Sequence, residues 1–181
     1  IMLVACTGVG SLEPMFKEFN SHTPYLITSV ELVDKRLNIV DIQNIDTPNS
    51  FFAGNDMAGA LNSKLTTVLE SKIKAVLEQE SNPNGIEVAA IIGIKEARKT
   101  YYNYFWSEVE KVEVDLELQA LNRSGELISK SEGTCMISTP VWNASAESIN
   151  KKMISAIDCA VKNALYTLSA NSTSTQEQIN E

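Results

Sequence analysis

The sequence predicts an α+β fold: an antiparallel sheet, made of a three-strand meander plus an N-terminal strand or hairpin, with two amphipathic helices packed on one face. Three observations predict it. Val112, Val114, Leu116, Leu118 and Ala120 alternate with Lys111, Glu113, Asp115, Glu117 and Gln119, the period of a half-buried antiparallel strand. Leu61, Leu65, Val68, Leu69, Ile73, Val76 and Leu77 recur at intervals of three and four, as do Ile149, Met153, Ile157, Ala160, Val161, Ala164, Leu165 and Leu168. Strands and helices that segregate to separate faces make a two-layer sandwich.

The elements follow in chain order. Tyr25 to Leu32 and Leu37 to Ile42 are rich in Ile, Val, Leu and Thr, and Asp34-Lys35-Arg36 separates them, so they form one long bent strand or a short hairpin. The first apolar stripe predicts a helix from about Asp56 to Glu80, ended by Asn82-Pro83-Asn84-Gly85, because proline cannot donate to a helix and Asn-Gly favours a turn. From Ile86 the period changes to two, with Ile86, Val88, Ala90, Ile92 and Ile94 on one face. The alternating strand described above comes next, and its carboxylate face is expected to be wet. Asn122-Arg123-Ser124-Gly125 turns the chain into a strand over Glu126 to Ser138. On that strand Leu127, Ser129, Ser131, Gly133, Cys135 and Ile137 share a face small enough for a helix to approach closely, or to leave a groove. Pro140 ends this strand and Ser145 caps the second helix.

Length and composition bound the rest. A chain of 181 residues, 44% of them apolar, supports one core, so residues 24–170 are expected to fold as a single domain, with 171–181 a disordered polar tail. A net charge of −8 without clustered Lys and Arg argues against nucleic acid or anionic lipid headgroups as partners.

The N-terminal string Leu3-Val4-Ala5-Cys6 has the order of a bacterial lipobox: an apolar residue, small side chains before the cut, then a cysteine whose sulfur takes a diacylglyceryl group. Residues 1–5 are then the remnant of a signal peptide, and residues 6–23, Gly-rich at first, a lipidated tether. Thr7 rather than Asp follows Cys6, which implies sorting to the outer membrane, facing the periplasm. The other possibility at Cys6 is an ordinary buried thiol on a first strand. In an oxidising compartment the remaining cysteines, Cys135 and Cys159, can pair, or they are two inert buried thiols.

Residues that could carry chemistry are few. His22 is the single histidine and stands in the tether, so neither a Ser-His triad nor a zinc site has material, and no metal or cofactor is expected. Glu108, Glu110, Glu113, Asp115 and Glu117 could suggest paired carboxylates or a calcium site, but alternation places Glu113, Asp115 and Glu117 on the solvent face of one strand. The local feature that stands out is Tyr101, Tyr102, Tyr104, Phe105 and Trp106, five of the chain's twelve aromatics, beside Arg98 and Lys99 at the expected connection between two long strands. Such rings can alternate between core and surface, yet successive positions cannot all face inward. Exposed Tyr and Trp beside Arg are the composition of a binding surface.

The lipobox resembles that of the YajG family of small bacterial outer-membrane lipoproteins. So does the architecture from Tyr25 to Ala170: Val33-Asp34-Lys35-Arg36 before a long helix, three long strands, the Asn122 to Gly125 turn and a closing helix. The resemblance implies an exported, lipid-anchored, non-enzymatic protein and assigns no site residues. The sequence is thus expected to be an envelope lipoprotein that binds an envelope protein or an apolar ligand, with a periplasmic enzyme as the alternative.

Overall fold

The computed structural model describes residues 23–36, 57–62, 67–104, 107–142 and 145–177, with side chains at all of these except 57–62, 101–104, 107, 146 and 170–177. The described elements are β1 (Tyr25–Asp34), β2 (Met57–Asn62), α1 (Thr67–Glu80), β3 (Ile86–Tyr104), β4 (Ser107–Leu121), β5 (Leu127–Val141) and α2 (Ala146–Glu177). The sheet order is β1-β3-β4-β5, and β2 pairs with the distal part of β3. The fold is α+β, with the β3-β4-β5 meander antiparallel throughout.

The alternation in β4 does what its pattern dictates. Val112, Val114, Leu116, Leu118 and Ala120 are all buried against the helices, together with Val88, Ala90, Ile92 and Ile94 of β3. A bulge at Lys95 lets Ala97 and Lys99 take over the inner face beyond it. Leu69, Ile73, Val76 and Leu77 of α1 and the Ile149, Met153, Ile157, Ala160, Val161, Ala164 and Leu165 stripe of α2 complete one continuous core.

Four sequence expectations are corrected. β1 runs parallel to β3, Tyr25 opposite Ile86 and Asp34 opposite Ile94, so the sheet is mixed rather than wholly antiparallel. The chain between them carries α1, and a crossover of that length returns it to the end where it began. The helix expected from Asp56 does not include residues 57–62, and its described part is α1, Thr67–Glu80. Residues 57–62 instead form β2, which takes up the β3 edge at Arg98–Tyr102 that β1 leaves unpaired beyond Asp34. Gly59 in that stretch weakens a helix, and Val68, counted in the apolar stripe, is exposed. β5 continues through Pro140 to Val141, because a proline is tolerated on a strand at the edge of a sheet. The fourth concerns residues 171–177, expected as the start of a disordered tail, which extend α2, since a helix once formed propagates at little cost. Leu37–Ile42, His22 and the Cys6 tether lie outside the described residues.

The turn at Asn122 forms as its residues demand. The Asn122 side-chain oxygen accepts from the Ser124 and Glu126 main-chain N–H groups at 2.9 Å each, and Gly125 has φ +83°, which a side chain would strain.

Candidate functional site

Ladder register brings the aromatic run to one end of the sheet. Tyr101 pairs with Glu110, Tyr102 with Val109 and Tyr104 with Ser107, so these tyrosines belong to β3 itself rather than to a connection between strands. Tyr102 is also opposite Met57 of β2. Phe105 and Trp106 lie outside the described residues. One rung further, Val141 at the end of β5 pairs with Glu108, and the next residue, Trp142, is 94% exposed. Trp142 is a surface aromatic that the sequence reading passed over. The signal available was its position directly after the end of β5, two residues beyond Pro140.

The same end carries buried polar chemistry. Glu110, 1% exposed, lies on the inner face of β4, two residues before Val112. Its carboxylate accepts from the Ser145 N–H at 3.0 Å and the Ser148 hydroxyl at 2.8 Å, and pairs with Lys152. A carboxylate at the first turn of α2 answers the donors that a helix N-terminus leaves open. The Ser145 hydroxyl accepts from the Ser148 N–H at 3.1 Å, the cap expected from sequence. Lys99, 1% exposed on the neighbouring β3, donates to the Asn150 side-chain oxygen at 3.1 Å. The strand period that places Val112 and Val114 inward also places Glu110 there, so its burial was legible in principle.

The outer face of the sheet is charged, and its centre is drier than alternation alone suggests. Glu117, expected to be solvated, is 6% exposed, covered by Lys130 at 2.8 Å and Lys35 at 2.9 Å, with Gln119 also donating to it. Gly93 opposite makes room for the Lys35 stem. The ammonium of Lys130, then that of Lys35, holds the Glu117 carboxyl down to about 2. Lys95 pairs with Glu132, while burial and the nearby Glu132, Glu96 and Glu113 carboxylates push the Asp115 carboxyl up. Among the described residues no group of three or more His, Cys, Asp or Glu side chains is placed to hold a metal ion.

Cys135 of β5 and Cys159 of α2 are joined by a disulfide, their α-carbons 5.9 Å apart. The small residues around it seat α2 directly on the strand: the Ser131 hydroxyl donates to the Ala164 carbonyl at 2.7 Å, and no groove separates them. The Asn163 side chain donates to the Thr134 carbonyl at 2.8 Å, so α2 also shields part of β5, the terminal strand of the ladder.

No protein-family profile and no curated protein matches the chain. A minor lipoprotein from Acinetobacter baumannii, of known crystal structure, is similar to it at 18% identity over 84% of this chain and 95% of that one, with a TM-score of 0.43.

Proposed function

We infer that this protein is a lipid-anchored lipoprotein of a bacterial envelope that acts by binding rather than by catalysis. The observation that carries the reading is Leu3-Val4-Ala5-Cys6, which supplies the residue order that lipid transfer to a cysteine sulfur requires. The Cys135–Cys159 disulfide supports it, because such a bond persists in an oxidising, exported environment and is rare in a reducing cytosol. The lipobox and the order of strands and helices together favour a YajG-like protein. Thr7 in place of an aspartate after the cysteine favours the outer membrane, with the domain facing the periplasm.

Two or more acyl chains, at about 0.8 kcal/mol per buried methylene, hold a protein to its membrane durably. Binding by the domain is then assigned to the aromatic end of the sheet: Tyr101, Tyr102 and Tyr104 on β3, with Phe105 and Trp106 following in sequence. The partner is an envelope component or an apolar ligand. The full-length precursor carrying Cys6→Ser, expressed and fractionated, tests the anchor. The variant is expected to remain unprocessed or leave the membrane fraction, and wild-type processing and membrane retention would overturn the reading.

A further inference from the structure

The two ends of the sheet differ in a way that bears on how an anchored domain sits. β1 is parallel to β3 and both begin at the same end, Tyr25 beside Ile86, so the N-terminal segment enters there. β3 then runs 19 residues, about 60 Å at strand rise, to Tyr104 at the other end. Trp142 stands at that far end, next to the Val141–Glu108 rung. A tryptophan 94% exposed leaves a large, amphipathic ring in water, and the rung beside it carries the carboxylate residue Glu108 opposite Val141.

We propose that Trp142 is a second membrane foothold, inserting at the headgroup level of zwitterionic lipid in the same bilayer that holds Cys6, so that the domain lies along the membrane. The proposal rests on the lipid anchor argued above. Three observations select a lipid surface as the occupant. Tryptophan has an apolar ring and one N–H donor, the combination that favours a bilayer interface. Sixteen residues separate Cys6 from Thr23, a length that reaches at most about 60 Å, so the near end of the domain stays within that distance of the bilayer and a weak contact at the far end is effectively intramolecular. The net charge of −8 repels anionic headgroups, which leaves zwitterionic lipid.

The test supplies the anchor chemically and so does not depend on natural acylation. With Cys135 and Cys159 in their disulfide, Cys6 is the remaining thiol and can be coupled to maleimide-bearing lipid in phosphatidylcholine vesicles whose acyl chains are brominated. In the full chain with Trp106→Phe, Trp142 is the sole tryptophan. Its emission is expected to shift to the blue and to lose at least half its intensity relative to vesicles without bromine. Should that variant fail to fold, the difference between the unaltered chain and Trp142→Phe reads the same ring. Emission that stays water-like and unquenched on the vesicle overturns the proposal. So does burial of Trp142 that depends on protein concentration without lipid, which would mark a contact between copies. Failure here leaves the lipoprotein reading standing, and failure of the Cys6→Ser fractionation leaves this result standing.

Discussion

Gly133 of β5 lies so close to α2 that a β-carbon at its position would sit 2.0 Å from the carbonyl oxygen of Ala160. Helix backbone therefore rests on strand backbone, and Ala156, Ala160 and Ala164 supply the flat underside that permits it. The short side chains on both elements are a single packing solution, in which neither could grow without moving the other.

Replacing Gly133 by Ala is expected to cost about 3 kcal/mol, at the upper end for overpacking because the obstacle is main chain rather than a side chain that can turn aside. Urea unfolding measures it as a lower midpoint with an unchanged slope. Gly125→Ala, at a turn with φ +83° and open space around it, is the comparison and should cost only about 1–2 kcal/mol. Equal losses at the two glycines would contradict the close-packing account.

The disulfide fastens the same seam. Cys135 and Cys159 are 24 residues apart in sequence, and closing a loop of that length restrains the unfolded chain by about 3 kcal/mol. The double variant Cys135→Ala, Cys159→Ala, or a reducing agent added to the unaltered protein, should lower the melting temperature by a comparable amount. Indifference of the melting curve to reductant would show that the bond contributes nothing.

Glu117 gives the protein a defined acid sensitivity. Its carboxyl is held at about 2 in the folded chain against an ordinary value of 4.5, so its contribution is complete above 4.5 and is lost as pH falls toward about 2. Lys35 and Lys130 are nearly half exposed, and screening by water reduces the effect to about 1–2 kcal/mol. Asp115 acts in the opposite sense: its raised carboxyl becomes easier to accommodate once protonated, which offsets part of the loss. Denaturation of the unaltered protein and Glu117→Gln should therefore differ at neutral pH and converge in acid. A difference that stays constant down to the lowest pH would contradict the ion-pair assignment.

The meander, its turn and the face that α2 covers could be read in the sequence because each depends on local periodicity: β4 alternates, Asn122 to Gly125 has turn chemistry, and Ser145 caps. What could not be read depends on long-range pairing. The direction of β1 follows from where α1 returns the chain, and β2 forms because β3 outruns β1, a fact absent from the residues 57–62 themselves. The same limit applies at the aromatic end. Tyr101 to Tyr104 are conspicuous by composition, but their place within β3 is set by rungs to β4 and β2. Trp142 joins that end only because β5 pairs Val141 with Glu108. Glu110 was hidden by expectation, since a carboxylate on an apolar face is rare unless its charge is answered, and here the start of α2 answers it.

The central claim is that the chain is held to a membrane through Cys6, and mass spectrometry of the N-terminal peptide of the protein isolated from its native envelope tests it most directly. The account predicts a peptide that begins at Cys6 and carries diacylglyceryl mass on its sulfur, followed by Thr7. A peptide that still contains an intact Ala5–Cys6 bond and an unmodified thiol would contradict it.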